Sequence, residues 1–189
     1  MELSNLNIKN GLCLSLGSNI DSKFGNPINS LIQSKFRIEK IINNLINLNC
    51  SNNLENHILK EIFNWSSLYQ TSPLGVIEKQ PDYINCLLLV KGDLLPPPSI
   101  EKARFLLKEF QNLEKEFGRN KLSNEKRWLP RPLDIDILWW DDLCINDDDF
   151  KIPHPRFKNR NFVISPLAEV LSITPVSYTH LTLPTSTLV

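Results

Sequence analysis

Arg127-Trp128-Leu129-Pro130-Arg131-Pro132-Leu133-Asp134-Ile135-Asp136-Ile137-Leu138-Trp139-Trp140 is the stretch from which the fold is read. From residue 133 onward Leu133, Ile135, Ile137 and Trp139 alternate with Asp134 and Asp136, the pattern of a half-buried strand over 133–140. Side chains two apart on a strand share a face, so the two carboxylates lie together, roughly 6–7 Å apart at their Cα atoms. Pro132 precedes the run and removes no donor from the middle of the ladder. Adjacent carboxylates on so apolar a strand repel each other unless solvent, basic side chains or divalent cations compensate them. Arg127 and Arg131 stand close by in sequence. The combination points to a metal-assisted reaction on an anionic, phosphorylated substrate.

Upstream, Ser99 caps a helix with Glu101 in its first turn. Leu106, Leu107, Phe110, Leu113 and Phe117 form its apolar stripe, and Gly118 ends it. Glu114, near its end, reads on its own as a solvated helix glutamate. Residues 119–130 read as a loop whose Arg119, Lys121, Lys126 and Arg127 either hold phosphates or form a surface basic cluster. Further back, 58–69 and 83–90 read as antiparallel strands, joined by a long loop that contains Thr71-Ser72-Pro73-Leu74-Gly75. Tyr83 and Asn85 share a strand face. A first strand over 12–16 ends in a turn at Gly17-Ser18-Asn19. A helix then starts at Asn26 (N-cap) and Pro27 (N1) and runs to about residue 48, before an asparagine-rich exposed loop over 47–56.

Downstream, Asp147-Asp148-Asp149 is a solvated acidic loop without EF-hand spacing. Pro153 and Pro155 restrain His154, with Arg156, Lys158 and Arg160 adding positive charge; 163–170 reads as the beginning of a helix or turn packed on the sheet, with Ser165 and Pro166 as an N-cap and N1 pair. The order β-α-β-β-α-β predicts an α+β, ferredoxin-like core, with helices packed on one face of a four-stranded antiparallel sheet, plus C-terminal additions.

A length of 189 residues with a 41% hydrophobic content suits one domain. Lys+Arg and Asp+Glu both number 21, so the net charge calls for neither nucleic acid nor an anionic membrane. Cysteines 13, 50, 86 and 144 show no metal spacing and suit a reducing compartment. With no targeting segment and no apolar run of membrane-spanning length, the expected location is the cytoplasm. Asp134 and Asp136 could hold one or two Mg²⁺ ions as hard oxygen ligands, the shell being completed by water and substrate phosphates. Arginine suits bidentate phosphate contacts. Residue chemistry alone leaves the transferred group open, since nucleotidyl transfer and nucleases use similar ligands.

In order along the chain stand Leu16-Gly17-Ser18-Asn19, Thr71-Ser72-Pro73-Leu74-Gly75, Gln80-Pro81-Asp82-Tyr83-Ile84-Asn85 and Gly118-Arg119. They are followed by Arg127-Trp128, Pro130-Arg131-Pro132-Leu133-Asp134-Ile135-Asp136, Pro153-His154-Pro155-Arg156 and Asn159-Arg160-Asn161-Phe162. Each word is weak alone, but together and in this order they resemble the 6-hydroxymethyl-7,8-dihydropterin pyrophosphokinase family over residues 11–171. The resemblance implies Mg²⁺-dependent transfer of pyrophosphate from ATP to the pterin hydroxymethyl group, with release of AMP, in folate biosynthesis. It implies Asp134 and Asp136 as the ligands of a magnesium pair, and Arg119 and Arg131 as catalytic arginines on the phosphates. It also implies Glu114, Trp128, His154 and Arg160 at the ATP site. Thr71, Leu74, Gly75, Tyr83, Asn85 and Phe162 would line the pterin site, with Tyr83 and Phe162 stacking on the ring. A monomer acting on small molecules alone is the implied state.

The sequence departs from that pattern in a slightly long 118–128 segment, in the asparagine-rich 47–56, and in the threonine-rich tail 172–189. The tail resembles read-through beyond a gene end and gives Tyr178 and His180 no functional weight; residues 1–10 read as a polar extension. Two other readings stand beside this one: another metal-dependent phosphate or nucleotidyl transferase, and a ferredoxin-like RNA-binding module. The neutral charge and the carboxylate pair speak against the second.

Overall fold

Leu12–Ser18 form β1, every residue of which is buried. It lies between Tyr83–Val90 (β4) and Asp134–Trp140 (β5), antiparallel to both. The computed structural model describes residues 11–48, 61–73, 79–119 and 129–171. Gly17 and Ser18, expected in a turn, continue β1, because their backbone pairs with Asn85 and Ile84 across the ladder.

The single strand expected over 58–69 is two short ones among the described residues, Phe63–Trp65 (β2) and Tyr69–Thr71 (β3), both antiparallel to β4. Trp65 faces Leu88 and Tyr69 faces Asn85, so one extra residue is inserted between the two pairings. That is a β-bulge. Ser66 makes it tolerable: its N–H donates to the Leu87 carbonyl and its hydroxyl accepts from the Leu87 N–H, both at 2.9 Å. Ser66→Ala leaves that buried N–H without its partner, a cost of about 1–3 kcal/mol. Thermal melting of this variant should fall by about 2–10 °C.

The strand order is β2-β4-β1-β5, with β3 beside β2 along β4. Pro27–Asn47 (α1) starts as expected, with Asn26 Oδ1 accepting from Asn29 N and Pro27 in the first turn. Ile100–Glu116 (α2) has Ser99 as its side-chain cap and Gly118 beyond its end at φ +104°, where a glycine is favoured. Both bury apolar stripes, Leu31, Ile38, Ile42 and Leu45 on α1 and Leu106, Phe110 and Leu113 on α2, against Leu12, Leu14, Leu16, Leu88, Ile135 and Ile137.

A second core lies on the other side of the sheet, from Cys13, Leu87, Leu138, Trp139, Phe157, Val163, Leu167 and Val170. The C-terminal addition builds it. Ile145–Asn146 (β6) and Lys151–Ile152 (β7) pair as a hairpin, and Asn161–Val170 (α3) lies on β4. α3 begins at Arg160 as N-cap, so Pro166 lies inside it and not at N1. Val163, Leu167 and Val170, spaced as one helical face, hold the helix on the sheet despite the donor lost at the proline. Trp139 belongs to this second core, a departure from its expected place beside Ile137. Cys13 pairs with Trp139 and Leu14 with Ile137, so Leu138 bulges out and reverses the alternation, and Trp140 joins the first core instead. Among the described residues no helix is long and apolar enough to cross a membrane.

Candidate active site

Asp134 pairs with Gly17, Gly17 with Asn85, and Asn85 with Tyr69. Residues directly opposite on antiparallel strands point to the same face. A carboxylate, a hydrogen atom, an amide and a phenol are thus aligned across the sheet, on the face that α3 partly covers. Thr71 and Tyr83 form the next opposed pair on that face. Asn85 is buried, and its amide donates to Thr71 Oγ1 at 2.9 Å. The Tyr83 hydroxyl stands beside Arg131 and Asp134. Burial raises its pKa most, while the Arg131 guanidinium opposes the rise.

On the carboxylate side, Asp134 Oδ1 receives Arg119 Nη1 at 2.8 Å and Arg131 Nη1 at 2.9 Å. Asp136 Oδ2 has Arg160 Nη1 at 3.3 Å and His154 Nε2 at 3.9 Å. Burial first, and the Asp134 charge second, push the Asp136 pKa up to about 6, against the pull of Arg160 and Arg131. His154 is placed by its N–H, which donates to the Leu138 carbonyl at 2.8 Å. Its Nδ1 accepts from Arg156 N, so Nε2 carries the hydrogen and faces Asp136 as a donor. Burial, then Arg160 and Arg156, hold its pKa down at about 4, so the ring is neutral at pH 7. Arg160 follows Phe157, which is anchored against Trp139 with ring centroids 5.5 Å apart, and its guanidinium lies 5.3 Å over the Phe162 ring.

Glu114 is buried and not the solvated helix residue of the first reading. Its Oε1 accepts from Ile135 N at 2.8 Å and from Arg119 Nη1 at 2.6 Å, tying the end of α2 to β5. Burial, then the Asp134 charge, raises its pKa to about 7. A carboxyl with a raised folded pKa gives the folded state its greatest advantage below the unfolded value. It loses that advantage as pH rises through the folded value. Glu114→Gln should therefore gain in melting temperature relative to the parent between pH 4.5 and 7, in ligand-free protein; an unchanged difference across that window would contradict it.

Residues 13–172 match the model of the 7,8-dihydro-6-hydroxymethylpterin-pyrophosphokinase family. The chain belongs to this family. Its pyrophosphokinase relatives include proteins named 2-amino-4-hydroxy-6-hydroxymethyldihydropteridine pyrophosphokinase. The one from Haemophilus influenzae is 40% identical over 107 residues, 57% of this chain and 60% of the relative. The one from Bacillus subtilis is 36% identical over 117 residues, 62% and 64% of the two chains. The one from Aquifex aeolicus is 30% identical over 157 residues, 83% and 78%. The matched stretch thus spans 60% and 64% of the length of the first two relatives.

Every candidate residue falls inside the pyrophosphokinase match. The structure gathers the charged candidates into two ion-pair clusters on β5, Glu114, Arg119 and Arg131 about Asp134, and His154 and Arg160 about Asp136. Thr71, Tyr83 and Asn85 lie beside the first, and Phe162 next to Arg160. Tyr83 and Phe162 make no ring contact with each other among the described residues. Leu74, Gly75, Trp128, Lys121 and Lys126 lie outside the described residues. Two hard carboxylates on one face suit magnesium in kind. Among the described residues no cluster of three His, Cys, Asp or Glu groups is assembled for a metal, so the remaining positions would fall to phosphate oxygens and water. The buried Arg119 Nε, without a hydrogen-bond partner among the described residues, is a donor available to such an anion.

Two contributions escaped the sequence reading. Gly17 is the floor of the site: a Cβ there would lie 3.1 Å from Asn85 Oδ1 and 3.7 Å from the Tyr83 ring. A glycine inside an apolar strand was its signal. Glu169 on α3 accepts from Ser67 N, Ser67 Oγ and the Tyr69 hydroxyl, fastening that helix to the β2–β3 bulge. Nothing local in sequence marks it.

Proposed function

We propose that this protein transfers a pyrophosphoryl group from ATP to the hydroxymethyl oxygen of 6-hydroxymethyl-7,8-dihydropterin, giving AMP and the pterin diphosphate in folate synthesis. The observation that carries this reading is the shared sheet face. Paired aspartates ringed by Arg119, Arg131 and Arg160 stand one glycine away from an amide pocket of Asn85 and Thr71. Family membership and the names of the relatives support it.

Asp134 and Asp136 would hold magnesium, one or two ions, which supplies charge neutralisation of the polyphosphate. In that reading Arg119 and Arg131 exchange part of their hold on Asp134 for phosphate oxygens and stabilise the charge of the transferring group. Neutral His154 offers Nε2–H to a phosphate oxygen without adding a charge, while Arg160 adds one. Glu114 and Trp128 complete the nucleotide side. Asn85, Thr71, Leu74 and Gly75 read the pterin edge, and Tyr83 and Phe162 bracket its ring. No covalent protein intermediate is needed, because alignment and electrostatics suffice. The strand order β5-β1-β4-β2 with α1 and α2 on one core supports a ferredoxin-like arrangement, with residues 11–171 as the catalytic unit. We take it to act as a monomer in the cytoplasm on these two small molecules.

The test is product analysis with ATP, Mg²⁺ and the pterin. AMP and a pterin diphosphate should form together, and a chelator should stop both. Release of ADP, or of AMP at the same rate without pterin, would overturn the assignment.

A further inference from the structure

Asn19, at the end of the central strand, has no role in the chemistry above, yet it is buried at 2% exposure. Its Oδ1 accepts from Arg131 N at 2.8 Å, and its own N–H donates to the Arg131 carbonyl at 3.1 Å. Its amide donates to the Pro81 carbonyl at 3.3 Å. One side chain therefore bridges two segments that never pair with each other. The first carries Arg131, whose guanidinium is on Asp134; the second leads into Tyr83 and Asn85. Residues 129–133 precede β5 and have no ladder of their own, so Asn19 takes both backbone groups of Arg131 in place of a strand partner. From Pro81 it is two residues to Tyr83, whose hydroxyl stands beside the same arginine.

We infer that Asn19 is a positioning residue, setting the separation between the phosphate-side arginine and the pterin-side strand so that acceptor hydroxyl and transferring phosphorus meet in line. This rests on the function proposed above. Misplacement of a reacting group by about 1 Å can cost about 10²-fold in rate. Binding of either substrate alone needs only one of the two bridged segments and is less sensitive.

The experiment compares the parent with Asn19→Ala, Asn19→Asp and Ile42→Val, the last a buried change on α1 away from the site. Asn19→Ala should lower kcat about 10- to 100-fold, with the Kd for a non-hydrolysable ATP analogue and for the pterin each within about threefold. Asn19→Asp keeps the acceptor for Arg131 N and loses the donor to Pro81, so its kcat should fall between the two. Ile42→Val should keep the parent kcat at temperatures where it is folded. If Asn19→Ala is unfolded, Asn19→Asp decides alone: a kcat within threefold of the parent overturns the inference. So does loss confined to binding, or an equal loss in Ile42→Val. An inactive parent would instead sink the proposed function, which separates the two failures.

Discussion

Asp134→Ala and Asp136→Ala should each abolish nearly all AMP formation, a drop on the order of 10³-fold, while circular dichroism keeps the α+β signature. The size follows from what each carboxylate does at once. In the proposed function it would hold magnesium and so place positive charge where the transferring phosphates need it, and removing one such preorganised electrostatic contact typically costs about 10²–10³-fold. In addition, Asp134 neutralises Arg119 and Arg131, which are only 18% and 20% exposed in their side chains. Without it two guanidiniums confront each other and withdraw from the position that a phosphate would use. Asp136 is opposed chiefly by Arg160, so its loss should perturb the ligand-free fold less. A rate assay on folded protein checks both. Activity indifferent to either carboxylate would remove the basis of the proposed chemistry.

Gly17→Val should nearly eliminate pterin binding, raising its Kd by at least about 10²-fold, while nucleotide binding changes far less. Gly17 has ordinary strand geometry and needs no left-handed backbone, so its glycine is demanded by space. A lone Cβ would already lie 3.1 Å from Asn85 Oδ1 and force the amide to give by a few tenths of an ångström. The γ-methyls of valine would press on Asn85 and the Tyr83 ring together, break the Asn85–Thr71 bond and leave a buried amide unpaired. Polar readout of this kind typically carries several kcal/mol of discrimination, because unpaired buried groups are expensive. Isothermal titration with each substrate separately decides it, and equal losses for both would show a general collapse instead. Gly17→Ala is the graded companion, with a smaller loss of the same kind.

Where structure follows from neighbours in sequence, it was legible. Asn26, Pro27, Ser99 and Gly118 act within a turn of themselves, and α1 and α2 start or stop where they direct, whereas α3 passes over the local signal at Ser165 and Pro166. The aspartate pair was legible for the same reason, since period two is a property of one strand. The bulges at Ser66 and Leu138 were not, because each is a register shift between strands distant in the chain. Glu114 was half legible. It stands four residues after Phe110 on the apolar stripe of α2, so an acid was already visible on the buried side. Only the fold shows that Arg119 and Ile135 N wait there to receive it. The link between Asn19 and Pro81 spans 62 residues and has no sequence trace.

The extra residue at Leu138 divides one short strand into two independently phased halves. The half from Asp134 to Ile137 turns its acids to the α3 side, and the half at Trp139 and Trp140 sends one indole to each core. Without that bulge, strict alternation through all seven residues from Asp134 to Trp140 would force a choice between correct chemistry and correct packing. If the carboxylates kept their face, both tryptophans would exchange cores; if the tryptophans kept theirs, both aspartates would enter a layer of leucine and isoleucine. A single backbone irregularity thus acts as a clutch, letting the carboxylate end and the packing end of β5 vary in sequence without dragging each other out of phase.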